Sequence, residues 1–299
     1  MIKNVFLGLV ALSISATSCS SDDDGSNSAL TTPITLNFNG LEDLGPDYVY
    51  EGWIIVNGTP VSTGIFSSVT FPQTFNVNSS DLANATTFVL SIEPSNDPDP
   101  APSDTKLLSG DFSNNSASLT INAMVGDLST SNGQFILRTP TDESGTNNGN
   151  DYLGIWWINP ANGIASLSLP ELQTGWIYEG WIVVDTDADG MPDTPLSTGR
   201  FSDEGMADSS YGVGVGFNGN MAAGPMLPGE DFFNNLPAGF PASLVGGMAV
   251  ISVEPIEDNS SAPFAIKPLV TNPIEMDTAP TLQDMIFSNA SFPTGLVTR

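Results

Sequence analysis

Histidine is missing from this sequence of 299 residues, and cysteine occurs once, as Cys19. Without imidazole, histidine-based catalytic triads and histidine-bound metal centres are excluded. A single cysteine cannot build a disulfide framework. Basic residues are nearly as scarce: six Lys and Arg stand against 34 Asp and Glu, for a formal net charge of −28. That balance argues against nucleic acid, whose binders need basic patches for the phosphates, and against docking on anionic lipid through a protein face. It suits a soluble, self-repelling surface, cation binding, or adaptation to a salty medium. Long apolar runs are lacking as well. The stretch from Val5 to Ile14 is too short for a bilayer's hydrocarbon core, which takes about 20 residues.

What is present points to a folded chain of short strands. Hydrophobic residues make up 40%, with 16 Phe and 5 Trp, enough to build a core rather than a disordered chain. The 29 Gly and 23 Pro punctuate the apolar runs too often for long helices. The expected fold class is all-β, and the length suits two domains of ordinary size.

An internal repeat organises the chain. Tyr50-Glu51-Gly52-Trp53-Ile54-Ile55-Val56 recurs as Tyr178-Glu179-Gly180-Trp181-Ile182-Val183-Val184. Pro60-Val61-Ser62-Thr63-Gly64-Ile65-Phe66-Ser67 recurs as Pro195-Leu196-Ser197-Thr198-Gly199-Arg200-Phe201-Ser202, and Ser91-Ile92-Glu93-Pro94 as Ser252-Val253-Glu254-Pro255. Three blocks in one order mark a tandem duplication. The first block is rich in aromatic and β-branched residues on both faces, as in a central strand, and in copy one it runs into the hairpin signal Asn57-Gly58. Pro60 to Ser67 returns as its partner. Phe88 to Ile92, Ala117 to Val125 and Gln134 to Thr139 are further expected strands. Between the copies, Ile155-Trp156-Trp157-Ile158 precedes the turn Asn159-Pro160-Ala161-Asn162-Gly163, with Ile164 to Leu169 as a hairpin partner. The expected architecture is two tandem antiparallel β-sandwich-like repeats, 32–160 and 161–299, with a shared sheet as an option.

The amino terminus reads as an address. Residues 1–18 combine one early positive charge (Lys3), the short apolar run and the small residues Ala16-Thr17-Ser18 before Cys19, the build of a removable export signal. Ala16 to Cys19 resembles the lipobox of bacterial lipoproteins, with Ala16 where Leu is commoner. That resemblance implies a diacylglyceryl group on Cys19, cleavage just before it, and a membrane partner reached through the lipid. Residues 19–31 form an acidic Ser/Asp-rich tether. The cluster from Ser20 to Asp24 resembles the export tag of surface-displayed lipoproteins in one Gram-negative phylum, which implies a place on the outer membrane facing the medium.

The repeat blocks, with the Asp/Pro-rich stretch to Ser103 and Leu107-Leu108-Ser109-Gly110, resemble the extracytoplasmic C-terminal domain of anti-sigma-K-type factors. In that family a Tyr-x-x-Trp strand, a Pro-Val-Ser-x-Gly-x-Phe strand and a Thr-x-Glu-Pro strand recur. The resemblance covers 48–110 and 176–255. Anti-sigma factors hold sigma with a cytoplasmic helical domain and cross the membrane once. This chain is read as wholly exported, so the resemblance implies reuse of the outer sensory half, twice, without sigma binding.

The sharpest local motif is Asp185-Thr186-Asp187-Ala188-Asp189-Gly190-Met191-Pro192-Asp193, inserted where copy one has only Asn57-Gly58. The pattern resembles calcium loops of the thrombospondin type 3 and EF-hand kinds. Asp185, Asp187, Asp189 and Asp193 are candidate carboxylate ligands, Gly190 makes the sharp turn, and Met191 can add its carbonyl. Position 12 is Leu196 rather than a bidentate glutamate, so the loop departs from an EF-hand. Calcium is the cofactor expected. Glu51 and Glu179 share a strand face with Trp53 and Trp181 and need partners if buried, either as a general acid or as satisfied structural carboxylates. Arg200 can pair in copy two, whereas copy one has Ile65 there. Trp156 and Trp157 point to opposite faces of their strand, so one ring is a candidate for stacking on a sugar. Gly212 to Gly219 lacks the setting of a phosphate loop.

No catalytic residue is nominated. The expected role is a non-enzymatic, surface-anchored binding or structural module for an extracellular glycan or protein. A sensory module related to the outer half of anti-sigma factors is the alternative. A carbohydrate-active enzyme is a remote third, requiring two carboxylates in one cleft.

Overall fold

The computed structural model describes residues 30–139, 150–187, 189–209, 225–232, 240, 243–258, 260–271, 273–276 and 280–299. The signal, Cys19 and the Gly212–Gly219 stretch lie outside the described residues. In chain order the strands are β1 (Thr31–Asn39), β2 (Tyr48–Val56), β3 (Thr59–Phe66), β4 (Gln73–Asn78), β5 (Ala85–Pro94), β6 (Lys106–Ser113) and β7 (Ser116–Leu119). There follow β8 (Asn132–Leu137), β9 (Gly154–Trp156), β10 (Ile158–Asn159), β11 (Ile164–Ala165), β12 (Leu167–Ser168), β13 (Trp176–Val184) and β14 (Thr194–Phe201). β15 (Gly229–Asp231), β16 (Met248–Pro255), β17 (Ile266–Thr271), β18 (Gln283–Phe287) and β19 (Thr294–Thr298) complete them. Among the described residues one short α-helix, α1 (Ser79–Asn84), is capped by the Asn78 side chain, which accepts from the Ser80 and Asp81 amides.

The chain is all-β, as its composition implies. The first sheet runs β3-β2-β5-β6-β7-β19-β1-β4 and the second β14-β13-β16-β17-β18-β8-β9-β15, with β12 paired to β8. Every pairing among the described residues is antiparallel. The two sheets are built alike: β2 lies between β3 and β5, as β13 lies between β14 and β16. The Asn57-Gly58 link between β2 and β3 has both residues at positive φ (52° and 80°), the backbone of a two-residue hairpin that follows strand twist. From Phe88 to Glu93 every β5 side chain is buried, which explains why this strand does not alternate.

The first sheet rolls until its two ends meet. A side chain at Gly64 on β3 would sit 2.8 Å from the Phe75 ring on β4, and Phe38 of β1 stacks at 6.1 Å on Phe66 of β3. Two facing layers are thus kept within one continuous sheet, around Phe38, Tyr50, Phe66 and Phe88. One hydrophobic cluster runs without interruption from this interior into that of the second sheet, from Ile34 to Leu269. The copies therefore share a core, while their ladders stay separate. The Trp176 indole donates to the Lys106 carbonyl (3.1 Å) and the Tyr48 hydroxyl to the Glu257 carbonyl (2.9 Å) across the join.

Sheet membership does not follow the 160/161 boundary. β8 and β9, which precede it, belong to the second sheet, and β19, from the far end of the sequence, lies between β7 and β1 of the first. Ile158 and Asn159 pair with Ala165 and Ile164, the hairpin expected there. The strand expected over Ala117 to Val125 ends at Leu119, apart from a bridge at Thr120. Beyond it the chain turns, with the Val125 amide bonded to the Ile121 carbonyl.

Candidate functional site

The duplicated blocks build the same polar network twice. In copy one the Trp53 indole donates to Ser91 Oγ at 2.8 Å, Ser91 Oγ donates to Glu93, and both Glu93 oxygens accept from the Ser103 amide (3.0 and 3.1 Å). In copy two the Trp181 indole donates to Ser252 Oγ at 2.8 Å, Ser252 donates to Glu254, and both Glu254 oxygens accept from the Phe264 amide (3.0 and 3.2 Å). Serine and glutamate two residues apart lie on one face of a strand, so each pair meets by strand geometry alone. Burial pushes the Glu93 carboxyl above its ordinary range, against the pull of its hydrogen bonds, and raises Glu254 to about 7.

The glycine of Tyr-Glu-Gly-Trp has a packing reason. A Cβ at Gly52 would lie 2.5 Å from Thr63 Oγ1, and one at Gly180 would meet Thr198 Oγ1 at 2.3 Å and the Trp157 ring at 2.7 Å. A bulge follows each glycine, between Gly52 and Trp53 and between Gly180 and Trp181. The tyrosines repeat too: Tyr50 donates to the Glu42 carbonyl (2.9 Å) and Tyr178 to the Pro170 carbonyl (2.7 Å), each to a residue eight positions earlier in the chain.

The copies differ beside these networks. Glu179 accepts from Ser197 and from Arg200 Nε (3.0 Å). The rest of the Arg200 guanidinium donates to the carbonyls of Pro255 and Ile256, both at 2.9 Å, with Asp258 at 3.9 Å. Copy one keeps the glutamate, Glu51 accepting from Ser62, but Ile65 stands opposite it with 58% of its surface exposed. Glu51 and Glu93 do share a pocket. Glu51, accepting from Ser62, and Glu179, accepting from Ser197 and Arg200, each have the partners that a structural carboxylate needs, while Glu93 is buried and held by Ser91 and Ser103.

The acidic loop sits at the β13–β14 hairpin tip, as expected. Carboxylate oxygens of Asp185, Asp187 and Asp189 lie within 4.8 Å of one another. The loop's own amides help to gather them: Gly190 N donates to Asp185 (2.7 Å), Asp189 N to Asp187 (3.1 Å) and Met191 N to Asp189 (2.8 Å). Asp193 stands apart from that trio, its carboxylate accepting from Thr194 Oγ1 at 3.0 Å. The Met191 side chain is exposed. A hard cation would find three carboxylates here, a set that fits calcium chemistry.

Trp157 is fully buried, its indole nitrogen 3.4 Å from Met285 Sδ, so this ring is closed to a ligand. Trp156 is half-buried against Ile136, Ile158 and Leu227. A cavity of about 300 Å³ that the sequence did not reveal lies between the copies, where Tyr48, Ile92 and Phe264 supply apolar walls and Glu42, Asp104 and Asp258 acidic edges. Burial raises the Glu42 carboxyl and lowers the nearby Lys267 amine, while the charge of each partly restores the other. Its walls come from residues some 200 positions apart in the chain, so no local pattern could announce it.

No helix among the described residues is long and apolar enough to cross a membrane. Comparison with curated proteins and with solved structures finds no match. One family description does match: residues 27–106, through the first residue of β6, are similar to the C-terminal domain of the anti-sigma-K factor RskA, the resemblance expected for the first copy.

Proposed function

We propose that this protein is a non-enzymatic, lipid-anchored module of the outer membrane, tethered through Cys19 and presenting its two-copy body to the medium to bind an extracellular ligand. The observation that carries the binding reading is the cavity between the copies, concave, mainly apolar and edged by a few carboxylates. A neutral or cationic glycan or peptide fragment suits that lining better than an anion does. The non-enzymatic reading is supported by Glu93 and Glu254, whose oxygens are engaged by serine hydroxyls and backbone amides. Calcium at Asp185, Asp187 and Asp189 has a structural role in this reading, stiffening an exposed hairpin tip.

Two measurements test it. Cys19→Ser should move the protein from the membrane fraction to the soluble one, and protease added to intact cells should remove the anchored form. Ligand-observed NMR with a panel of oligosaccharide and peptide fragments should find binders that lose affinity in Ile256→Trp, which fills the cavity mouth. A soluble wild-type protein, or fragments that bind both forms equally, would overturn the corresponding half.

A second reading, an extracytoplasmic sensory module working with a transmembrane partner, is favoured by the family match over 27–106. Crosslinking in whole cells should then recover an integral membrane protein, with recovery depending on residues of the first copy.

A further inference from the structure

The internal duplication makes one copy a control for the other. In copy two the Arg200 guanidinium uses three separate nitrogens: Nε toward Glu179, one terminal nitrogen toward the Ile256 carbonyl, the other toward the Pro255 carbonyl. Asp258 lies just beyond. The counterparts of these four residues are Glu51, Ser95, Pro94 and Asp97, set by the alignment of Tyr-Glu-Gly-Trp and of Ser-x-Glu-Pro. All four line one pocket of about 350 Å³ in copy one. Only the arginine is gone: Ile65 faces Glu51 across the strand pair, as Arg200 faces Glu179.

The backbone supports the equivalence. The Ser95 amide bonds the Asp47 carbonyl at 2.8 Å, and the Ile256 amide bonds the Gly175 carbonyl at 2.9 Å. Asp47 and Gly175 are themselves equivalent positions, one residue before β2 and β13. The two turns therefore leave their strands along the same path, and the carbonyls that hold Arg200 have matching counterparts. Glu51 is also set in place as Glu179 is, each accepting from the serine of its Ser-Thr-Gly motif.

We propose that this pocket of copy one binds a guanidinium group supplied by a ligand, in the manner that copy two binds its own Arg200. The acceptors spread over a carboxylate and two carbonyls, a planar fork's requirement that a compact ammonium meets poorly. This pocket shares only Pro94 with the lining of the cavity between the copies. Exposed Ile65, at the mouth, offers an apolar surface to the alkyl stem of an arginine side chain. The chain's negative charge adds long-range attraction for such a cation. The guanidinium belongs either to a free arginine-like molecule or to an arginine within a polypeptide.

Calorimetry and NMR titration of the purified protein test this with two probes, Nα-acetyl-arginine amide and a pentapeptide with one central arginine among glycines. Saturable binding is expected, weakened at least tenfold when citrulline replaces arginine and at least tenfold in Glu51→Gln. A stronger peptide arm assigns the polypeptide source, and equal arms assign the small molecule. Ile65→Arg should fill the pocket from within, raising the melting temperature and abolishing binding of both probes. No saturable binding of either probe to the wild type, citrulline binding as tightly as arginine, or binding undiminished in a folded Ile65→Arg or Glu51→Gln variant, would overturn the proposal.

Discussion

Glu254 should make this protein lose stability as the medium turns from acid to neutral. Its side chain is fully buried on β16, and burial lifts its pKa from 4.5 to about 7. Between those values the unfolded chain has released the proton and the folded chain still holds it. The native state then binds more protons, so unfolding free energy falls as pH rises through the window and levels off above it. A shift of that size corresponds to about 3 kcal/mol, a large part of a marginal stability. Glu254→Gln removes the titration while keeping an acceptor for the Phe264 amide. Urea unfolding followed by tryptophan fluorescence, at about pH 4.5, 6 and 8 in roughly 0.15 M salt to damp general repulsion, compares the two proteins. The variant should be no more stable than the wild type in acid and more stable by up to about 3 kcal/mol at the alkaline end. Parallel profiles, with a constant gap at all pH values, would refute the reasoning and place the proton elsewhere.

The paired Asp187→Ala/Asp189→Ala variant should abolish calcium binding by calorimetry. In the wild type, calcium at tenfold its dissociation constant should add about 1.4 kcal/mol of stability. Arg200→Met leaves the buried Glu179 carboxylate without its cation and should cost about 3 kcal/mol in denaturant unfolding, whereas changing the exposed Ile65 to Met should cost little. Gly180→Ala drives a methyl group against Thr198 and the Trp157 ring and should destabilise by about 1–3 kcal/mol, seen as a lower melting temperature.

Much of each half was readable because the decisive contacts are local or duplicated. Tyr-Glu-Gly-Trp, its hairpin partner and Ser-x-Glu-Pro place β2, β3 and β5 by pattern alone, and repetition supplies β13, β14 and β16. The Glu179–Arg200 pair followed from register, since the two residues face each other once the hairpin is drawn. The position of the acidic loop at a hairpin tip was legible for the same reason, and the carboxylates of Asp185, Asp187 and Asp189 gather there. Long-range order was not. Nothing in Thr294–Thr298 marks it as the partner of residues near Thr35, because a five-residue strand fits many edges equally well. Trp156-Trp157 reads symmetrically in sequence, and only the packing of Met285 and Gly180 decides which ring is buried. The strand expected past Leu119 fails because Ile121 and Val125 are apolar for a different reason, filling the core from a turn.

The place of β19 has a bearing on how the protein comes into being. Synthesis runs from the amino end, so β1 and β7 emerge long before the strand that must lie between them. Until residues 294–298 arrive, both strands carry open ladder edges, the kind that recruit foreign strands. The half made first is therefore the half finished last. Arg299 then fastens the seam, donating to the carbonyls of Leu82 and Ala85 at 2.6 and 2.9 Å and lying 4.2 Å over the Phe112 ring. A chain truncated before Thr294 lacks the strand between β7 and β1 and leaves the first copy with a gap in its wall. Loss of only a few residues there would read out as loss of the whole protein.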